Sequence, residues 1–170
     1  MRLFRTGPEL PPAVRSSVRG KVLAAAEGED GGWVVGTRDA VHAVDADGAV
    51  TMTLRWEQVH RADWDVETST LQVEQVEEYG RPLSAYSFVL GEPGALLELV
   101  RERVTASVVL QRRTEIERRR GFSVIGRRGP AGGGEVTWAY EFDKGVDPDD
   151  PAVMARAEAA LRDAKESLGL

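Results

Sequence analysis

Apolar and polar residues alternate over much of the first ninety residues, and this two-residue period is typical of half-buried β-strands. Val50, Met52 and Leu54 alternate with threonines, and the preceding Asp47-Gly48 dipeptide favours a tight hairpin turn. The gaps between successive strands are too short for crossover helices, so the pattern predicts a largely antiparallel arrangement. Seven strand segments are predicted, at 21–26, 33–37, 40–44, 50–54, through Ala62 and Trp64, at 70–76 and at 83–90.

Two later stretches have the three- and four-residue spacing of an amphipathic helix. The first begins after Pro93, and the second has Asp150 as its cap, Pro151 as its first residue and Gly169 at its end. Residues 105–116, rich in Val, Thr and Ile, are interpreted as a strand, with a continued helix as the alternative. The apolar positions of the first helix are Leu96, Leu97, Val100 and Val104.

A second β-rich region lies between the two helices. Segments 121–128 and 135–142 are predicted to form a hairpin across the glycine-rich loop 129–134. The last strand carries a row of large side chains on one face, and we expect this row to pack on the C-terminal helix. Residues 1–18 contain Gly7-Pro8 and Pro11-Pro12 and are interpreted as an extended arm without a helix. The row consists of Val136, Trp138, Tyr140 and Phe142.

These elements predict an α+β, mainly β fold. Trp56 and Val59 are three residues apart, so a bend or bulge is expected near Glu57–Gln58. Seven strands followed by one helix, with the step Trp56-Glu57-Gln58-Val59 at mid-domain, resemble a bacterial pleckstrin-homology-like (PH-like) or GRAM-type domain. The resemblance implies a seven-strand antiparallel barrel capped by a helix over residues 19–105. It leaves residues 1–18 as the arm and 106–170 as a β-hairpin or meander extension with a C-terminal helix.

The whole chain is also similar to uncharacterised actinobacterial proteins of about this length, through residues 102–109, 132–140 and 147–153. The PH-like resemblance implies a non-catalytic module that binds a protein or peptide through a sheet edge or through the face beside Leu96–Val104. Phosphoinositide-binding PH domains carry a basic cluster between their first two strands. Here the corresponding loop, 27–32, is acidic and would repel an anionic headgroup.

The amino-acid composition excludes several kinds of functional site. The chain has 170 residues, 42% of them hydrophobic, with two histidines and no cysteine, so disulfides, thiolate metal sites and cysteine nucleophiles are excluded. The N-terminal residues contain prolines and arginines instead of the apolar core of a signal peptide. The longest apolar runs are far shorter than a membrane span. We therefore expect a cytoplasmic protein of unknown oligomeric state.

Charge is distributed unevenly along the chain. Residues 27–78 hold 13 acidic and 3 basic residues, whereas 101–134 hold 9 arginines and 3 glutamates. If 105–116 pairs with 121–128, several arginines gather on one hairpin, which favours an alternative function of binding nucleic acid or membrane phosphates. A solvated hairpin that offsets the acidic half is the simpler interpretation. The candidate residues are Arg112, Arg113, Arg118, Arg119, Arg120, Arg127 and Arg128.

Other motifs give no catalytic, cofactor or metal site. On a strand His60 points away from Asp63 and Asp65, which favours a polar strand edge over a metal site. Residues 147–150 lack the glycine and the distal glutamate of a calcium loop and are explained by helix capping. Loop 129–134 is followed by a strand, so it is not a phosphate-binding P-loop. With two histidines, a Ser–His–Asp triad is improbable, and we expect neither an enzyme nor a bound cofactor.

Overall fold

A computed structural model of the protein describes residues 9–76 and 84–170. It has 43% strand and 25% helix, which confirms the α+β, mainly β class. In chain order the elements are α1 (Pro12–Ser17), β1 (Val22–Glu27), β2 (Trp33–Thr37), β3 (Ala40–Val44), β4 (Val50–Arg55), a 3₁₀ turn (Trp56–Gln58), β5 (Val59–Asp65), β6 (Thr70–Gln75), β7 (Ala85–Val89), α2 (Ala95–Ser107), β8 (Val108–Glu117), β9 (Arg120–Arg127), β10 (Thr137–Phe142) and α3 (Pro151–Ser167).

The described strands form three antiparallel sheets. Sheet 1 contains β1 to β4, sheet 2 contains β5 to β7, and sheet 3 has the order β10-β9-β8. The 3₁₀ turn carries the chain from sheet 1 into sheet 2, and an isolated pairing of Gly28 with Leu90 joins β1 to the end of β7. Within residues 9–76 and 84–170, therefore, the strands do not close into the single seven-strand barrel that the resemblance implies.

The turns that the sequence indicated lie at their predicted positions. Asp47-Gly48 connects β3 to β4, and Gly48 has a φ of +86°, which glycine adopts without strain. The bend expected near Glu57–Gln58 is the 3₁₀ turn, where Gln58 Oε1 accepts the N–H of Arg55 at 3.0 Å. The structure describes residues 84–90 of the predicted strand 83–90, and β7 occupies Ala85–Val89. The first residue of the predicted strand and the turn at 77–82 lie outside the described residues.

Helix α2 packs into the core between sheets 1 and 2. Leu96 is fully buried and Val100 nearly so, and Leu97 and Val104 pack against the same core from its margin. Trp56 is buried beside them, and its indole N–H donates to Thr37 O at 3.1 Å. The predicted capping helix is confirmed. It ends at Ser107, so most of the ambiguous segment 105–116 is strand, as interpreted.

The N-terminal arm differs from the prediction. Pro12–Ser17 form a short helix because Pro12 occupies its first position, where no backbone N–H is needed. Leu10, Val14 and Val18 are buried against the outer face of sheet 1, where they contact Val35 and neighbouring apolar residues. The prolines therefore start this helix, and the segment is a structural layer on sheet 1.

Sheet 3 and α3 form a separate apolar cluster. Phe122 and Val124 on β9 and Ala157 and Ala164 on α3 are fully buried together. The aromatic side chains of β10 pack against this cluster, and the rings of Phe122 and Phe142 lie 5.8 Å apart. Asp150 caps α3 by accepting the N–H of Ala152 at 2.8 Å. The prediction that the C-terminal helix covers the aromatic row is confirmed.

Arg127 joins sheet 3 to the N-terminal part of the fold. Its guanidinium is buried, and it donates to Val104 O at 2.9 Å and to Ser107 Oγ at 3.0 Å, both in the last turn of α2. The other Nη donates to His60 O on β5 at 2.8 Å. A cation favours the C-terminal end of a helix because unpaired carbonyls give that end a partial negative charge. One side chain therefore bridges α2, sheet 2 and sheet 3.

We expect Arg127→Met to lower the free energy of unfolding by about 2–4 kcal/mol, because two half-buried carbonyls and the buried Ser107 hydroxyl lose a charged donor while the packing volume is largely kept. Urea or guanidinium denaturation of the full chain measures this change. Arg112→Met is the matched control, since Arg112 is exposed on the same sheet, and its effect should stay within about 0.5 kcal/mol. Equal effects of the two substitutions would contradict the bridging role of Arg127.

Candidate functional site

The seven candidate arginines lie in three environments. Arg127 is buried and Arg128 half-buried at the end of β9, where the backbone N–H of Arg128 donates to Ser107 O at 2.8 Å. Neither belongs to an exposed basic surface. Arg113 is paired with an aspartate on sheet 3. Arg112, Arg118, Arg119 and Arg120 are exposed and lie outside this pair.

Arg113 is held by Asp143 at the end of β10. Nη1 donates to Oδ1 at 3.0 Å, Nη2 donates to Oδ2, and the backbone N–H of Gly121 also donates to Oδ2 at 2.8 Å. The Arg113 guanidinium, followed by this backbone bond, lowers the pKa of the Asp143 carboxyl to about 2. The charge of Arg113 is thus largely compensated. The same Nη2 donates to Arg119 O at 3.0 Å, which fixes the adjoining turn.

Arg112 lies on β8, which pairs with β9 on one side and is an edge strand of sheet 3. An exposed strand edge can pair with another chain, and charged side chains along it oppose that pairing. Both ends of β8 also carry register shifts, which break the regular ladder. The geometry around Arg112 therefore fits protection of an edge and does not require a ligand.

A cleft of about 390 Å³ opens between sheet 1 and β7. Its walls are the β1–β2 loop, the start of β2, the end of β3 with Asp45, Thr51 of β4, and residues 87–90. This volume is near the lower limit for small-molecule sites, so the cleft holds one or two side chains more readily than a large cofactor.

The edge of β7 borders this cleft. Gln75 donates to Ser84 O and Leu90 donates to Ser69 O, so the backbone groups of alternate residues from Ser84 to Leu90 face β6. By the alternation of antiparallel ladders, the groups of Ala85, Ser87 and Val89 face the other edge. Val89 O there accepts the N–H of Glu29 at 3.0 Å. Among the described residues, β1 meets β7 only at its Leu90 end.

Carboxylates surround the mouth of the cleft. Glu29 is exposed, and Asp30 and Asp45 each line the wall while one of their oxygens accepts backbone N–H groups. Asp30 bonds Gly32 at 2.9 Å, and Asp45 bonds Ala49 at 2.8 Å, so both carboxylates are held in place by their turns. The cleft combines a strand edge, a small apolar interior and a negative rim.

The histidines lie away from this cleft. His42 is buried on β3, with Nδ1 3.0 Å from Thr53 Oγ1, and burial lowers its pKa. His60 is half-buried on β5. Burial lowers its pKa, and the negative charge of Glu141 acts in the opposite direction with a smaller effect. Neither side chain lines the cleft walls.

No group of three metal-binding side chains occurs within residues 9–76 and 84–170. Asp63 is in an ion pair with Arg61. Asp147 Oδ1 accepts the N–H of Asp149 at 2.9 Å, and Asp150 caps α3, so the capping interpretation of this acidic segment is confirmed. Loop 129–134 connects β9 to β10 as a hairpin connection, as predicted.

Two structural features were not recognised from the sequence. The cleft is lined by residues between Gly28 and Leu90 that lie on four strands and the β1–β2 loop, so no local motif marks it. The role of Arg127 was missed because it sits in a run of arginines and looks like its neighbours. A usable signal existed there, since Arg127 directly follows the uncharged run 121–126, and the strand is buried without interruption from Gly121 to Arg127.

Comparisons with known proteins leave the family open. A scan against protein-family models finds no match, and a search of curated proteins finds no significant similarity. Of the helices in the described part of the chain, none has both the length and the apolar character needed to cross a bilayer.

Acidification should destabilise the folded chain through His42. Burial lowers the pKa of this imidazole below its ordinary value of 6.5, so the unfolded chain binds more protons as the pH falls through that value. The stabilising effect of the neutral His42 ring is complete above the pKa that His42 has in the unfolded chain, and it is lost progressively as the pH falls below that value. We expect the free energy of unfolding to decrease from about pH 7 to about pH 5.

The measurement is a series of urea denaturation curves over this pH range. His42→Gln should show a smaller decrease than the wild type, because the amide cannot titrate. His60→Gln should act in the same direction, since the pKa of His60 is also lowered. If both variants keep the full wild-type dependence, the histidines are not its source.

Proposed function

We propose that the chain is a non-catalytic, PH-like interaction module that binds an extended protein segment along the edge of β7 that faces away from β6. The PH-like assignment is supported by the order of four strands, three strands and one helix. It is also supported by the position of Trp56 at the turn between the two sheets, with Val59 three residues later and fully buried in the same core. The isolated pairing of Gly28 with Leu90 brings the ends of β1 and β7 next to each other, which supports the same assignment.

The single observation that carries the binding proposal is the position of the β7 edge beside the cleft. Ala85 and Ser87 direct backbone donors and acceptors to this edge, and an added strand would pair with them. Alternate side chains of such a strand would point toward the 390 Å³ space, which supplies selectivity. Val89 is 40% exposed on this edge and offers an apolar contact.

The face beside Leu96–Val104 is a weaker candidate for the same function. Leu96 and Val100 are part of the core, and the neighbouring apolar residues of α2 pack against it. A partner docking there would find little apolar surface. The sheet edge is therefore the better-supported site.

The rim charge indicates the chemistry of the partner. Glu29, Asp30 and Asp45 give the cleft a negative potential, which attracts lysine and arginine side chains and disfavours phosphate groups. The proposed occupant is an extended peptide with basic residues flanking one or two small apolar ones. The same rim opposes a phosphoinositide headgroup at the loop where PH domains bind it.

The test is selection of linear peptides from a random display library against the full chain, followed by binding measurements on two variants. Ser87→Pro removes an edge donor and blocks the ladder, and an edge strand tolerates proline where its N–H faces solvent. We expect selected peptides to be rich in lysine and arginine and to bind Ser87→Pro at least about tenfold more weakly than the wild type.

Ser87→Ala is the matched control, because it changes the side chain and leaves the backbone donor in place. It should bind like the wild type. Circular dichroism and thermal unfolding establish that both variants are folded. The proposal fails if no peptide is enriched, or if a folded Ser87→Pro variant binds the enriched peptides as tightly as Ser87→Ala does.

A further inference from the structure

The hairpin of β8 and β9 ends in an unusual two-residue turn. Glu117 pairs with Arg120, and the two residues between them, Arg118 and Arg119, have φ angles of +49° and +66°. Positive φ at both central positions defines the type I′ geometry, for which Asn-Gly is strongly preferred. Residues other than glycine, asparagine and aspartate are strained at these positive φ angles.

Two arginines at these positions therefore destabilise the turn relative to Asn-Gly. Residues held in such unfavourable backbone regions cluster at binding and active sites, which makes this turn a candidate site. The surrounding hairpin enforces the strained geometry. A Cβ on Gly121 would lie 1.9 Å from Thr114 O, so the two strands approach too closely for a side chain, and Arg113 holds Arg119 O from the neighbouring strand.

The turn presents exposed positive charge. The Arg118 side chain is 88% exposed, and its contact with Glu117 is 3.7 Å long between two exposed groups, a pairing that contributes little in water. Arg119 and Arg120 are also exposed. Gly145 lies beside the Arg120 guanidinium, since a Cβ there would be 2.8 Å from Nη1, and this places the loop that carries exposed Lys144 next to the turn.

We propose that the Arg118-Arg119 turn, with Arg120 and Lys144 beside it, is a second binding site, which contacts the phosphates of duplex nucleic acid. Guanidinium groups match phosphate oxygens with paired donors. A two-stranded ribbon with a narrow tip fits a groove of a duplex, and arginine is favoured in a narrow, electronegative groove. Residues 117–121 contain no aromatic ring to stack on unpaired bases and no large apolar side chain to enter a bilayer.

The acidic remainder of the chain keeps this contact small. The net charge is −6, and the negative rim of the β7 cleft belongs to a different sheet. We therefore expect binding through two or three phosphates, with a slope of about −2 to −3 in the logarithm of the affinity against the logarithm of the salt concentration. This site does not depend on peptide binding at β7.

The decisive variant combines Arg118→Asn with Arg119→Gly. Because it supplies the residues that the turn geometry prefers, it should raise the thermal unfolding midpoint by about 3–6 °C. It should at the same time weaken binding to a fluorescent duplex of about 20 base pairs at low salt by at least about tenfold, measured by anisotropy. A gain in stability with a loss of affinity distinguishes a functional turn from a structural one.

Arg118→Lys with Arg119→Lys is the matched control, since it keeps the charge and the unfavourable backbone geometry. This double-lysine variant should retain most of the salt-sensitive affinity for the duplex. Ser87→Pro should bind the duplex as tightly as the wild type. The proposal is overturned if the wild type does not bind the duplex, if the Asn-Gly variant binds as tightly as the wild type, or if phosphatidylserine vesicles at equal phosphate concentration bind more strongly than the duplex.

Discussion

The rest of the structure depends on how two unequal antiparallel sheets bury one shared apolar core. Sheet 1 and sheet 2 meet through a three-residue turn and through one isolated pairing, so the described strands alone leave the core open. Helix α2 fills that opening with Leu96 and Val100. Among the described residues, the outward backbone groups of Ala85 and Ser87 on β7 pair with no other strand, and the cleft opens beside them. The proposed binding edge is therefore a consequence of incomplete closure.

A single buried cation extends this arrangement to the C-terminal half. Arg127 reaches the last turn of α2 and the backbone of β5, so sheet 3 is attached through hydrogen bonds in addition to packing. The buried Arg127 guanidinium is stabilised by three acceptors, of which Val104 O and Ser107 Oγ lie at the end of α2 and His60 O lies on β5. The aromatic cluster between sheet 3 and α3 gives this half its own core.

The two charge extremes of the chain are used at separate places. Negative residues line the rim of the cleft, whereas the exposed arginines gather at the tip of the β8–β9 hairpin. Beside that tip, Arg113 and Asp143 form an ion pair, and Arg113 also donates to Arg119 O in the turn. Because opposite charges lie on different sheets, the two proposed sites would attract partners of opposite charge, and neither proposal requires the other site to be occupied.

Short-range patterns in the amino-acid sequence were enough to predict the individual strands, helices and turns. Alternation identified the strands, three- and four-residue spacing identified α2 and α3, and Asp47-Gly48 and Asp150 marked a turn and a cap, because these signals act over a few residues. These patterns misplaced the N-terminal segment, since the prolines of 1–18 fit a helix start as well as an extended arm. Which strands share a sheet was not predictable from these patterns and is seen only in the folded chain. The same holds for the burial of Arg127, the exposure of Arg118 and Arg119, and the cleft beside β7. Those outcomes depend on contacts between residues far apart in the chain, and the chemical type of a side chain does not encode its neighbours.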